Sequence, residues 1–190
     1  RLLIFQVFVN TLSAVLTAIA ILYYVFVYTI GLKRYTNQNI VWGGAAGCMP
    51  ALIGWAAVSN SLSLSAWIWF FVIFFWTPPH FWALAIKYKD DYAAAKIPML
   101  PVVAPEKDVK KWMLIHTWAM VISSLLLIAS ADLGMIAGIV TGALGFYFYW
   151  EVFRLKELQY EKGAGRVFHG SITYLSVLSL VLIAAQLLRA

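Results

Sequence analysis

Two neighbouring carboxylates, Asp90 and Asp91, form the sole adjacent acidic pair in the 190-residue sequence. Adjacent carboxylates repel each other unless a cation lies close by, and their hard oxygen atoms suit Mg²⁺, usually together with substrate phosphates. Three lysines, Lys87, Lys89 and Lys96, surround the pair and could bind phosphate oxygens directly. The pattern fits a Mg²⁺–phosphate site or a solvated, charge-balanced loop, and the pair alone does not decide between them.

His80 is the second candidate for chemistry. It follows Pro78 and Pro79 inside an apolar run, where two prolines remove backbone donors and kink or break a helix. Counted at about 1.5 Å per residue, it lies about 15 Å along a helix from Asp90, within the hydrocarbon zone. An ionisable residue at that depth indicates a function. The alternative is a neutral histidine that donates to a carbonyl freed by the prolines.

The elements that position these residues must be membrane helices. Hydrophobic residues make up 63% of the chain and charged residues 12%, against about a quarter charged in a soluble domain. The net charge of +6 does not indicate a nucleic-acid partner, because every basic cluster lies beside a membrane-length apolar run. The single Cys48 excludes an internal disulfide and a cysteine-rich metal site.

The apolar runs predict about six transmembrane helices in a single all-α domain, residues 1–190. A spanning helix needs about 20 mostly apolar residues, and strands would need a two-residue alternation that is absent. The predicted spans are 2–28, 40–58, 66–86, 112–131, 133–153 and 171–188. The connection at 87–111 is long and polar, as functional loops often are, and we expect 106–111 to be a solvated lead-in to the next span.

The basic residues predict the orientation. Twelve of the fourteen fall on one side of the predicted topology, and only Arg1 and Arg189 fall on the other. By the positive-inside rule the basic loops are cytoplasmic. We therefore expect a multi-pass protein of a cell (inner) membrane.

Small and polar residues predict how the helices pack. Gly43, Gly47, Ala51 and Gly54 form one small-residue face, and glycines 134, 138 and 142 form another. In the first span Gln6, Asn10, Ser13 and Thr17 share one face, which could line a substrate chamber or make ordinary interhelical hydrogen bonds.

Three blocks of the sequence carry a family resemblance. The first comprises Thr-Pro-Pro-His-Phe-Trp-Ala-Leu at 77–84, Lys-Asp-Asp-Tyr at 89–92 and Ile-Pro-Met-Leu-Pro-Val-Val at 97–103. The second includes Leu-Lys-Arg at 32–34, Gln-Asn-Ile-Val at 38–41 and Gly-Gly-Ala-Ala-Gly at 43–47. A weaker third block is Arg166-Val167-Phe168 with Ser171 and Tyr174. The whole chain resembles the protohaem IX farnesyltransferases (haem O synthases), which are intramembrane aromatic prenyltransferases.

The resemblance implies a reaction and its partners. Such an enzyme transfers the farnesyl group of farnesyl diphosphate to a vinyl group of haem b, which gives haem O and diphosphate. Haem b is then a substrate, Mg²⁺ the cofactor and the lipid bilayer the surroundings. A haem A synthase or a terminal oxidase assembly is a further expected partner.

Roles for individual residues follow from the same resemblance. Asp91 matches the acidic residue before Tyr in the family's second aspartate segment, and Asp90 and Lys89 are grouped with it as catalytic, with both aspartates as metal ligands. Lys33 and Arg34 are assigned to diphosphate, and His80 to haem as an iron ligand, a propionate contact or a proton contact. The full set of expected substrate-binding residues is Lys33, Arg34, Asn39, His80, Lys87, Tyr92 and Lys96.

The chain also departs from the family pattern. The position four residues after Asp91, where related enzymes often have a second aspartate, is Ala95. The family's first motif, Asn-x-x-x-Asp-x-x-x-Asp, is absent from the sequence. We expect this chain to be a fragment of a nine-helix fold, without about three N-terminal helices and half of the Mg²⁺–diphosphate site, and to be inactive alone. A haem O assay showing full turnover would refute that.

Two other functions remain to be distinguished. One is a quinone or chlorophyll prenyltransferase, against which the Pro-Pro-His and Ile-Pro-x-Leu-Pro segments argue. The other is a membrane protein that binds haem or an isoprenoid without catalysis.

Overall fold

The computed structural model describes residues 2–155 and 160–189, and over that part of the chain it contains helices and no strands. Six helical segments of the described residues are long and apolar enough to cross a membrane, which confirms the all-α, multi-pass bundle. They are Thr11–Leu32, Asn39–Ser59, Leu64–Lys87, Glu106–Ser130, Met135–Phe153 and Tyr160–Leu187. Arg1 and Lys156, which enter the predicted charge asymmetry, lie outside the described residues.

The first predicted span is divided in two. Helix α1 covers Leu2–Phe8, and α2 covers Thr11–Leu22 before continuing as π-helical turns over Tyr23–Leu32. Asn10 ends the first part because its backbone is extended and its side chain caps α2, accepting from Ser13 N at 2.8 Å. Its amide also donates to the Ala56 carbonyl at 2.7 Å. The polar face at this point therefore makes interhelical hydrogen bonds.

Helix α4 is the centre of the bundle. It covers Leu64–Lys87 and packs against three helices, α3 (Asn39–Ser59), α7 (Glu106–Ser130) and α9 (Tyr160–Leu187). It runs without interruption through the two buried prolines, so of the two effects expected of Pro78 and Pro79, a kink or a break, the break does not occur. A proline loses one backbone bond, and close packing on three neighbouring helices keeps the remaining turns in place.

The connection after α4 is shorter than predicted. It contains two short helices, α5 (Lys89–Ala94) and α6 (Leu100–Val103), and then α7 covers Glu106–Ser130. The expected solvated lead-in at 106–111 is helical, because Pro105 precedes it and two acidic side chains lie in the first turn near the positive end of the helix dipole. The bundle ends with α8 (Met135–Phe153) and α9 (Tyr160–Leu187), the latter beginning eleven residues before its predicted span.

The glycines that bring helices together are only partly the ones that the spacing singled out: of that set, Gly43 lies against the Tyr28 ring, which an added Cβ atom would overlap. A Cβ atom added at Gly44 would lie 3.1 Å from Thr77 of α4, and one added at Gly145 would lie 2.8 Å from Val121 of α7. By contrast, an added Cβ would meet no described atom within 4 Å at Gly47, Gly54, Gly134 or Gly142. The packing role expected for these four is therefore wrong in the described structure.

Candidate functional site

The second aspartate segment is built on α5 and its C-terminal cap. The Ile97 amide bonds to the Tyr92 carbonyl and the Lys96 amide to the Ala93 carbonyl, both at 3.0 Å, which is the pattern of a Schellman cap. Tyr92 and Ile97 pack against the main core, so they anchor α5 to the bundle. Lys96 has φ of 54° and directs the chain into the proline-containing segment.

An open cleft lies beside this cap. It has a volume of about 310 Å³, and both Arg34 and Lys96 line it. Its remaining lining is apolar and comes from Ala93, Ile97, Pro98, Val102 and Val103. Neither cation forms a salt bridge with a described residue. The fold therefore brings together two basic residues from separate parts of the sequence, and two unneutralised cations beside one cleft attract an anion.

The two aspartates lie on different sides of α5. Both side chains are exposed. At about 100° per residue, Asp90 is about 60° from Ala93 around the helix axis, whereas Asp91 is about 160° from it. Because Ala93 lines the cleft, Asp90 faces the side of Arg34 more closely than Asp91 does.

Magnesium fits this arrangement only with help from a substrate. Within residues 2–155 and 160–189 no three acidic, histidine or cysteine side chains are grouped closely enough to hold a metal. Two exposed carboxylates are nevertheless the number that Mg²⁺ commonly takes from a protein when phosphates and waters complete its shell. Asp90 and Asp91 are the residues that would hold the ion.

The other predicted binding residues occupy three settings. Lys89 is exposed beside the aspartates, and the Lys87 ammonium lies 5.5 Å from the centre of the Tyr88 ring. Lys33 is half-buried, and its carbonyl accepts from Asn39 Nδ2 at 3.1 Å. Asn39 itself is 1% exposed. Asn39 therefore stabilises the turn that carries Lys33 and Arg34, here called the basic turn, from its buried side, and it does not line the cleft.

His80 is separate from the cleft. It lies on α4, seven residues before the helix ends at Lys87, which is about 10 Å along the axis. It is half-buried and faces α9, where Phe168 and Ser171 contact it. Trp76 contacts it from its own helix.

Sequence reasoning gave no role to these three neighbours of His80. Phe168 and Ser171 belong to the third resemblance block, and Trp76 directly precedes the Thr-Pro-Pro-His segment, but neither position indicates a contact with His80. The chain separation of 91 residues between His80 and Ser171 hides the contact from any local pattern. Ser171 itself gave little signal, because it is one of several polar residues of α9, although a serine at membrane depth needs a partner.

A bundle of membrane helices that carries paired aspartates and basic residues at one end is the architecture of a membrane prenyltransferase, and the chain belongs to the UbiA prenyltransferase family. The sequence profile of that family matches residues 2–186.

Curated relatives refine the comparison. A protein of Clavibacter sepedonicus called "Protoheme IX farnesyltransferase" is 50% identical over 174 residues, which cover 90% of this chain and 57% of the relative. Proteins with the same name from Parafrankia sp. (strain EAN1pec) and Streptomyces coelicolor are 50% and 48% identical, over 98% of this chain and 60% and 61% of their own lengths. The chain thus spans about three-fifths of the relatives it matches. No solved structure matches it significantly.

Proposed function

We propose that the protein transfers the farnesyl group of farnesyl diphosphate to a vinyl group of protohaem IX, which gives haem O and diphosphate. The observation that carries this proposal is the cleft that Arg34 and Lys96 share next to the aspartates of α5, in a membrane bundle. The relatives at about 50% identity, all called protoheme IX farnesyltransferase, support the choice of acceptor.

The reaction needs apolar surroundings for its two substrates and positive charge for its leaving group, and this site can supply both. The vinyl carbon forms a bond to C1 of the farnesyl group as the C1–O bond to diphosphate breaks. The carbocation left beside the porphyrin ring takes a hydroxyl from water, which releases a proton. The farnesyl chain and the porphyrin are apolar and suit the membrane interior, whereas the departing diphosphate needs fixed positive charge near water.

Arg34 and Lys96 supply that charge in the proposal. A guanidinium binds two phosphate oxygens at once through its planar fork, and an ammonium adds a point charge from the other side of the cleft. Lys33, Lys87 and Lys89 raise the local positive potential further. Asn39 serves the same site indirectly, by holding the Lys33 carbonyl.

Asp90 and Asp91 would hold Mg²⁺ together with oxygens of the diphosphate. When bound, the ion neutralises charge that develops on the leaving group. We expect activity to disappear on treatment with EDTA and to return with added Mg²⁺. Activity that persists after complete chelation would remove the metal from the proposal.

The orientation and the cellular partners belong to the same proposal. The basic loops lie in the cytoplasm, where farnesyl diphosphate is dissolved, and the bundle lies in the cell membrane. The haem product passes to a haem A synthase or to a terminal oxidase assembly in that membrane.

The deciding experiment is haem extraction from cells that express the full-length protein and lack their own haem O synthesis. We expect a haem O peak, its loss with Asp91→Ala, and no change with Glu161→Ala, an exposed acidic control on α9. Unchanged haem O in Asp91→Ala would remove Asp91 from the site. A prenylated quinone or chlorophyll precursor instead of haem O would favour another prenyltransferase, and bound haem without any product would favour a binding protein.

A further inference from the structure

The imidazole of His80 lies between two aromatic rings. Its centroid is 4.3 Å from that of Trp76, with the ring planes 20° apart, and 4.6 Å from that of Phe168, with the planes 27° apart. Two rings that are this close and this parallel cannot share one face of an imidazole, because their atoms would overlap. The plane of the His80 ring is therefore fixed, and the remaining question is which of its two ring nitrogens faces α9.

One hydrogen bond decides which edge faces α9. His80 Nδ1 is 2.7 Å from Ser171 Oγ, and Ser171 Oγ donates to the Phe168 carbonyl at 2.6 Å. A hydroxyl has a single proton to donate, so Oγ accepts a hydrogen bond from Nδ1–H. The neutral form of His80 that fits this contact therefore carries its proton on Nδ1 and its lone pair on Nε2. That nitrogen makes no hydrogen bond with a described residue and is not sealed inside the core.

A lone pair presented in this way could serve as a general base or as a metal ligand. A base becomes positively charged, and a carboxylate on the other nitrogen commonly stabilises that charge. Here the other nitrogen contacts a neutral hydroxyl, and no acidic side chain of the described chain bonds to the ring. A metal-ligating histidine stays neutral and donates its second N–H to a fixed acceptor, as His80 does.

We propose that Ser171 is a positioning residue that fixes the tautomer of His80, so that Nε2 binds the iron of the haem substrate. This inference rests on the proposed function, because it takes protohaem IX as the acceptor. Ligation at this depth of α4 holds the porphyrin inside the bilayer while its vinyl groups stay free to react. Trp76 Nε1 donates to the Ser171 carbonyl at 2.7 Å and keeps α9 against α4.

The test uses the full-length protein in lipid nanodiscs, with ferric protohaem IX as the added probe. Absorption and electron paramagnetic resonance spectra report whether a nitrogen ligand is bound to the iron. The variants are His80→Ala, Ser171→Ala and Ser171→Thr, with Ser179→Ala as the matched control. Ser179 lies on the same helix and donates to the Leu175 carbonyl at 2.8 Å, without a histidine partner. Trp76 donates to the backbone carbonyl of Ser171, so none of these substitutions removes its acceptor. Thermal unfolding checks that each variant is folded.

We expect nitrogen ligation in the unaltered protein, its loss in His80→Ala and its recovery when imidazole is added to that variant. Ser171→Ala should weaken haem binding by about 10-fold or more, the effect typical of removing an outer-shell partner, whereas Ser171→Thr and Ser179→Ala should bind as the unaltered protein does. Ligation that persists in His80→Ala, or unchanged affinity in folded Ser171→Ala, would overturn the inference.

A parallel haem O assay separates the two proposals. If the unaltered protein makes haem O and His80→Ala keeps the nitrogen ligand, the ligation inference fails and the proposed function stands. If His80 ligates haem and no haem O forms with all substrates present, the proposed function fails and the haem site stands.

Discussion

At Lys96 the backbone adopts a conformation that its side chain does not favour. Its φ of 54° lies in the left-handed region, where a non-glycine residue costs about 1–2 kcal/mol. Glycine is the usual residue at this point of a Schellman cap. A lysine here places an ammonium at the cleft that Arg34 also lines, which glycine cannot do. The strain and the charge therefore coincide at one residue.

We expect Lys96→Gly to preserve or raise stability and to weaken farnesyl diphosphate binding. The cap gains a residue suited to its backbone, while the loss of a charge-assisted hydrogen bond, about 1.5–3 kcal/mol, raises KM about tenfold or more. Thermal unfolding and steady-state kinetics of the full-length protein measure the two effects. Asn60→Gly is the control, because Asn60 has φ of 49° at the other end of the bundle and should change stability only. An unchanged KM in Lys96→Gly would exclude its ammonium from the diphosphate site.

Asn39 carries a second prediction at the residue scale. It is buried and its amide donates to the Lys33 carbonyl, so Asn39→Leu leaves that carbonyl without its partner. We expect a loss of about 1–3 kcal/mol in stability and a higher KM for farnesyl diphosphate, because the basic turn is no longer held. Asn37→Leu, in the exposed part of the same turn, should leave the KM unchanged. Destabilisation of Asn39→Leu with a normal KM would confine Asn39 to a structural role.

At the scale of the elements, the spans could be predicted because lipid forces long apolar helices. Their ends could not be predicted equally well. The helix end at Asn10 was missed because it lies inside an apolar run. The start of α7 was missed because 106–111 is charged, although a proline followed by acidic residues is a helix-start pattern. At the candidate site, the aspartates and the lysines around them were predicted from type and spacing, whereas Lys33 and Arg34 were predicted from the family resemblance. The contact of His80 with Ser171 depends on tertiary packing between α4 and α9, which no local pattern contains.

Two glycines of α8 provide a matched test of the helix packing. A Cβ atom at Gly145 would meet Val121 at 2.8 Å, whereas one at Gly142, three residues earlier, would meet no described atom within 4 Å. We expect Gly145→Ala to destabilise the protein by about 1–3 kcal/mol, as overpacking does. Gly142→Ala should be neutral or slightly stabilising, because alanine favours a helix. Thermal unfolding in detergent compares the two, and equal stability would contradict the observed register of α7 and α8.

At the scale of the whole molecule, function depends on the side of the membrane to which α5 and the basic turn are exposed. The turn at Lys33–Gln38 and the α5–α6 segment lie together, because Arg34 lines the same cleft as Lys96. The short α3–α4 connection lies at the other end of α4 and carries no charged residue. This distribution of charge predicts that the cleft faces the cytoplasm.

The single Cys48 makes that orientation measurable, because it is fully buried and should give no background in labelling. We expect Asn37→Cys, in the basic turn, to react with a membrane-impermeant maleimide only after the cells are opened. Ser61→Cys, in the exposed α3–α4 connection, should react in intact spheroplasts. Both substitutions replace exposed side chains outside the spans, so both proteins should retain the haem O synthesis that we propose. The reverse labelling pattern would place the cleft on the outer face, away from dissolved farnesyl diphosphate, and would contradict the proposed reaction at the molecular scale.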